Sequence, residues 1–293
     1  IPLITWEPWL NTFENDLDSI PHVNDLILSG YLDDYLKEFA LKLKNINKPI
    51  FLRYAHEFDN PFYPWYDNRE NAASLFIKAW RHVNTIFKEN RADNVIWIWN
   101  PWKSKNVVEF FPGNEYVDWL GVNILNYSVF GKEEYFQFSE LYESFHYEFN
   151  KLSKMPVIIR QMGTLSDSIY QNKWIDNAIN SINNEFKEIE AIVYFNSNVD
   201  NNYPNEIEND INLNWSYSSS NTFKYVLKND NVPDYVFKEI PSREVAIEKG
   251  NKVKNKLKNI TGINLIKGEN WNEDYHILSR ENLISDFKKM KNI

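Results

Sequence analysis

Short runs of apolar, β-branched and aromatic residues alternate along this chain with longer stretches in which apolar residues recur every three or four positions. The short runs fall at 2–6, 50–54, 95–99, 119–124, 157–160 and 191–195. Each is almost continuously apolar, as a strand buried on both faces requires. Between them the spacing predicts helices over 24–44, 70–88, 135–152 and 172–186, with a shorter one over 222–227. A repeating order of strand, helix, strand builds βαβ units and a parallel sheet covered by helices.

Polar and aromatic residues gather just after the predicted strands: Glu7 and Trp9, His56 and Glu57, Asn100 and Trp102, Asn126 and Tyr127, Gln161, and Asn196. In a (β/α)8 barrel this end of the sheet carries the active site. The expected fold is therefore α/β, a (β/α)8 TIM-type barrel over 1–229 with a C-terminal extension. Six strands do not close such a barrel, and its first two strands are expected to lie before Ile1. After Asn229 the pattern changes, and 230–258, with its Lys-rich part at 249–258, reads as a linker or a solvated helix. A strand-like run at 262–266, then Trp271-Asn272 and helical spacing over 280–291, reads as the start of a second βα domain within 259–293. A strand that completes the first barrel is the competing reading.

Composition narrows the chemistry. A chain of 293 residues that is 43% hydrophobic buries a sizeable core. A net charge of −9 argues against a nucleic-acid surface, which needs clustered Lys and Arg, and favours a neutral substrate. Eleven Trp and seventeen Tyr offer flat faces on which sugar rings stack, although core filling uses the same residues. Without Cys there is no thiolate chemistry, and no apolar run reaches the roughly eighteen residues of a membrane span. The Asn/Asp-rich stretch 198–214 has no EF-hand spacing and no His, so no metal is assigned. With no Gly-rich phosphate loop and no nucleophile elbow, no cofactor is expected and carboxylate chemistry remains.

Glu57 is the leading carboxyl group. It follows a buried strand, sits beside His56, and is followed by Tyr63, Pro64 and Trp65. A Glu against aromatic rings in a low-dielectric pocket has the raised pKa that a general acid needs near neutrality. The structural alternative is a Glu that merely pairs with Arg53. A retaining glycosidase would add a second carboxylate about 5 to 5.5 Å away as nucleophile.

The ordered motifs Trp6-Glu7-Pro8-Trp9, Arg53-Tyr54-Ala55-His56-Glu57, Trp97-Ile98-Trp99-Asn100-Pro101-Trp102 and Asp118-Trp119-Leu120-Gly121-Val122, with Pro156 to Gly163 and Ala191 to Asn196, resemble glycoside hydrolase family 26 and its relatives. The resemblance covers about residues 1 to 228. It implies a clan A barrel that hydrolyses β-linked mannan or glucan with retention, with its acid/base on the fourth strand and its nucleophile on the seventh. Glu57 matches the acid/base, His56 its ordering neighbour, and Tyr127 a Tyr that contacts the nucleophile. Trp6, Trp65, Trp99 and Trp102 would floor the sugar subsites or, equally, fill the barrel end. Two positions depart from the pattern. Gln161 stands where the family has the nucleophilic Glu, and Tyr194 where many relatives have Trp. An amide is a poor nucleophile, so the chain reads either as an enzyme using an unusual arrangement, with Glu7 a candidate replacement carboxylate, or as a carbohydrate-binding module that kept the cleft. A polymeric substrate would place the protein outside the cytoplasm.

Overall fold

The structure, a computed structural model, describes residues 1–8, 22–127, 136–152, 154–165, 168–197, 200, 213–216 and 263–265. The apolar runs form six parallel strands: β1 (Leu3–Trp6), β2 (Ile50–Tyr54), β3 (Val95–Trp99), β4 (Trp119–Asn126), β5 (Val157–Thr164) and β6 (Ile189–Tyr194). Each pairs with its neighbour in sequence, and the six curl into a half-barrel in the order β6-β5-β4-β3-β2-β1. A three-residue strand, β7 (Ile263–Leu265), runs antiparallel to β1. The predicted helix at 222–227, the 230–258 linker and the rest of the 259–293 unit lie outside the described residues.

The helices are α1 (Val23–Leu28), α2 (Asp33–Ile46), α3 (Ala72–Glu89), α4 (Val107–Phe110), α5 (Phe138–Leu152) and α6 (Ser168–Asn184). The single helix expected over 24–44 is therefore two. Gly30 takes a left-handed φ of 78°, and the Gly30 and Tyr31 N–H groups turn back onto Ile27 and Leu26 carbonyls, which closes α1. α2 starts on Asp33 and Asp34, favourable at a helix N-terminus, and ends on left-handed Asn47. On α3 the buried residues Phe76, Ala79, Trp80, Val83 and Phe87 recur at helical spacing and dock on the sheet.

Period-two alternation sorts the strand residues between two layers. Outward-facing Trp6 stacks on Tyr54 at 4.7 Å and meets Tyr35 and Phe39 of α2, each at 5.9 Å. Trp97 packs on Trp80 and Phe87 of α3, and fully buried Trp99 on Phe58 and Phe111. Thr5, Arg53, Ile98 and Gly121 face the interior of the half-barrel. A Cβ on Gly121 would come within 2.7 Å of the Ile98 side chain.

One irregularity decides which residues of β5 reach that interior. Between β4 and β5 the register runs Val122 to Ile159, then Asn123 to Gln161, so β5 carries one extra residue, Arg160. Strict alternation from Ile159 would turn Gln161 toward the helices. The bulge instead puts Gln161 in register with inward-facing Asn123.

Removing the Trp99 ring from the strand–helix layer is expected to destabilise the domain by about 3–5 kcal/mol, whereas Trp102→Ala, on a loop beyond β3, changes stability by only about 0.5 kcal/mol. Urea denaturation of the two variants checks this difference.

Candidate active site

The site begins at a strained turn. Directly after β2, Ala55 and Glu57 both adopt left-handed φ values, 42° and 49°, on either side of His56. Residues with side chains rarely take this conformation, which costs on the order of 1–3 kcal/mol each where it persists. Three hydrogen bonds fix it: the Ala55 N–H donates to the Trp6 carbonyl at 3.0 Å, the Glu57 N–H to the Asn100 carbonyl at 2.7 Å, and the Trp65 Nε1–H to the His56 carbonyl at 2.9 Å. The neighbouring strand ends thereby aim the Glu57 side chain.

The Glu57 carboxyl group is buried and held at both oxygens. Asn60 Nδ2 donates to Oε2 at 2.8 Å and Asn123 Nδ2 to Oε1 at 2.5 Å. Burial pushes its pKa above the ordinary value; the two amide donors and the Arg53 charge pull it back without cancelling the rise. Arg53, also buried, donates from Nε to Thr5 Oγ1 at 3.1 Å and from Nη1 to the side-chain oxygens of Asn100 at 3.0 Å and Asn123 at 3.4 Å. Arg53 is thus tied to amide and hydroxyl oxygens, and it does not form the simple Glu57 pair that was the structural alternative.

His56 Nε2 shares a hydrogen bond with the Tyr63 hydroxyl at 3.2 Å, and Nδ1 lies 3.8 Å from a Glu7 carboxylate oxygen. Burial and the charges of Arg53 and Arg160 hold the imidazole pKa well below its usual value, so His56 is neutral at pH 7. Tyr63 stacks on Trp65 at 4.4 Å and 10°. Asp59 accepts from the Trp102 N–H at 2.7 Å, the Lys103 N–H at 2.9 Å and Asn106 Nδ2 at 2.9 Å, which fixes the loop that carries Trp102.

The second half of the site comes from β4, β5 and the segment around Trp215. Tyr127 meets Trp215 edge-on at 4.9 Å. The Tyr194 hydroxyl accepts from Gln171 Nε2 at 3.2 Å and donates to the Trp215 carbonyl at 3.3 Å. Gly163 admits the Trp215 ring, since a Cβ there would lie 3.1 Å from it. Gln161 is half-buried on the inner face, and Asn123 links it to Glu57 by sharing its register and bonding the Glu57 carboxyl.

The structure therefore brings Glu7, His56, Glu57 and, through Asn123, Gln161 to one end of the sheet. It separates the tryptophans. Trp6 and Trp99 lie in the strand–helix layer at 3% and 0% exposure, packed among other aromatic rings. Trp65 is buried beneath Tyr63. Trp102 is half-buried, with Lys103 Nζ 4.1 Å from its ring centre. Sequence reasoning missed Asp59, Asn60, Asn123 and the exposed ring of Phe62, two residues beyond Asn60. A polar Asn inside the apolar run 119–124 was the available signal for Asn123.

A curled parallel sheet with its polar residues massed at the strands' carboxyl ends defines a protein of the βα-barrel class. The chain belongs to glycosyl hydrolase family 26, whose profile matches residues 8–194. It is 29% identical over 209 residues to Endoglucanase H of Acetivibrio thermocellus, covering 68% of this chain and 22% of that protein. To the mannan endo-1,4-beta-mannosidase of Bacillus subtilis it is 24% identical over 111 residues, 36% of this chain and 31% of the relative. The chain thus spans less than a third of the length of either relative. Among solved structures it is similar to the catalytic domain of an endo-beta-1,4-mannanase from Bacillus sp. JAMB-750, with a TM-score of 0.49 and 14% identity over 60% of this chain and 51% of that one. It is a glycosidase-like domain related to endoglucanases and mannanases. Among the described residues no helix is long and apolar enough to cross a membrane.

Because Glu57 holds its proton to a higher pH when folded than its ordinary 4.5, the stability tied to this group is fully present below about pH 4.5 and is lost as the pH rises through the folded value. Asn123→Ala removes a donor to the charged form and is expected to move the Glu57 titration midpoint further upward. NMR of carboxyl-labelled Glu reads that midpoint, and an unchanged or lower value would show that Asn123 does not hold the anion.

Proposed function

We propose that this chain is a glycoside hydrolase domain within a (β/α)8 barrel that acts on or binds a β-linked glucan or mannan. Glu57 is its acid/base and Gln161 occupies the nucleophile's place. The observation that carries the reading is the Glu57 carboxyl, placed by a strained turn at a strand's carboxyl end and raised in pKa above its ordinary value by burial. Protonated, Glu57 donates to the glycosidic oxygen as the bond to the anomeric carbon breaks. Its anion is then stabilised by the amides of Asn60 and Asn123, so proton transfer strengthens contacts already in place. Neutral His56 and Tyr63 floor the pocket beside it. Trp102 and exposed Phe62 are the rings available to stack on sugars, together with Tyr127, while Tyr194 shapes a subsite.

The covalent half of a retaining mechanism needs a carboxylate, and the Gln161 amide carries no charge to stabilise an oxocarbenium-like centre or to form a glycosyl ester. That substitution favours a second reading, a carbohydrate-binding pseudo-glycosidase. The substrate polymer implies a site of action outside the cytoplasm.

Gln161→Glu is expected to raise release of reducing sugar from β-glucan or β-mannan ~10²-fold or more, since it restores a charged group at nearly constant volume. Glu57→Gln in that background abolishes hydrolysis of substrates with poor leaving groups and spares part of that of activated aryl glycosides. If Gln161→Glu folds and binds oligosaccharide yet releases no sugar from any β-glucan or β-mannan, the binding-module reading replaces the enzymatic one. Ordinary turnover by the unmodified chain would mean that Gln161 is not in the nucleophile's place.

A further inference from the structure

Arg160, the extra residue of the β5 bulge, is 1% exposed, and its buried Nε and Nη1 meet no acceptor among the described residues. Its position two residues on from Ile158, opposite inward-facing Gly121, turns it into the half-barrel, toward Arg53, Glu7 and His56. Arg53 is met by hydroxyl and amide oxygens; among the described residues the Nε and Nη1 of Arg160 are met by none. Burial, followed by the Arg53 charge, pulls the Arg160 pKa below the arginine range, and the Glu7 charge opposes this only in part.

Two guanidinium groups, those of Arg53 and Arg160, lie on this inner wall, and among the described residues neither Glu7 nor Glu57 takes a hydrogen bond from the buried Nε or Nη1 of Arg160. The family resemblance puts a carboxylate beside Arg160, at position 161, where this chain has an amide. Gln161 also differs from Glu in that its NH2 donates hydrogen bonds, so it suits a ligand that accepts them. A guanidinium excluded from water with unpaired N–H groups is unfavourable until an anion meets it, and its planar fork matches a carboxylate.

We propose that Arg160, with Arg53 and Gln161, forms a carboxylate-binding subsite on the inner wall of the half-barrel, and that it takes the uronate group of an acidic β-linked glycan or a small free carboxylate. The glycan arm rests on the polysaccharide reading above and changes its substrate from neutral to acid-bearing.

Calorimetry on the full chain compares a β-linked oligosaccharide carrying one uronate with the same oligosaccharide after reduction of that carboxyl to the alcohol. The acidic form is expected to bind about tenfold tighter, the factor that a charge-assisted hydrogen bond supplies. Arg160→Met and Arg160→Gln erase the difference while keeping affinity for the reduced form. In parallel, acetate against chloride at equal ionic strength is expected to raise the thermal midpoint of the unmodified chain and not of either variant. A preference for the uronate form that depends on Arg160 identifies the carboxylate as part of the glycan. An acetate effect without that preference identifies it as a free anion. If both oligosaccharides bind equally and acetate does nothing, the subsite is refuted and the polysaccharide reading stands. If neither oligosaccharide binds, that reading fails, and the acetate comparison alone decides the subsite: an effect lost in both variants supports it, and no effect overturns it.

Discussion

The buried guanidinium of Arg53 is the constraint on which the rest of this site is built. Its Nε holds the Thr5 hydroxyl on β1, and its Nη1 reaches the amide oxygens of Asn100 beyond β3 and Asn123 on β4. Four strands are thereby fixed at one level of the half-barrel, and two of the three partners have a second task. The Asn100 carbonyl accepts the Glu57 N–H, and the Asn123 amide donates to the Glu57 carboxyl. A buried cation that gives its hydrogen bonds to neutral oxygens orients those dipoles without neutralising the acid they serve. The same positive charge opposes the protonated state of Glu57 that burial favours, so the group is poised between two effects of similar kind.

Around this network the molecule separates stability from chemistry by layer. Large aromatic rings on the outward faces of β1, β2 and β3 pack against α2 and α3 and supply apolar burial. The inward faces carry Thr5, Arg53 and Asn123, polar residues joined by the hydrogen bonds that Arg53 donates. At the site, strain sits in the turn at Ala55 and Glu57, where three hydrogen bonds from neighbouring elements hold it. The Glu57 carboxyl is thus held at both oxygens by neighbouring amides.

The half that would handle the anomeric carbon is arranged differently. The bulge in β5 turns both Arg160 and Gln161 inward, and Trp215 packs against the glycine that follows at position 163. An acidic residue at 161 would have faced a cation as its neighbour; an amide there leaves that cation to another partner. Under the proposed function, whether this wall forms a bond or only holds a ligand turns on that difference between amide and carboxylate, which leaves side-chain volume almost unchanged.

The alternation of apolar runs and helical spacing by itself determined the parallel βα order, because a strand buried on both faces has to be apolar throughout. It also marked Glu57 and His56, since a polar residue directly after such a run is out of place unless it has a task, while Gln161 stood out through the family resemblance. The break at Gly30 and the extra residue in β5 were not legible, because each depends on how a segment docks against its neighbours rather than on its own periodicity. The same limit applied to the tryptophans: Trp6, Trp99 and Trp102 look alike in a sequence, and only the side of the sheet or loop each one occupies buried the first two in the strand–helix layer and left the third half-buried on a loop. Asn123 gained its meaning only from the tertiary structure, which brings the middle of one strand to the end of another and lets a single amide join Glu57, Arg53 and the register of Gln161.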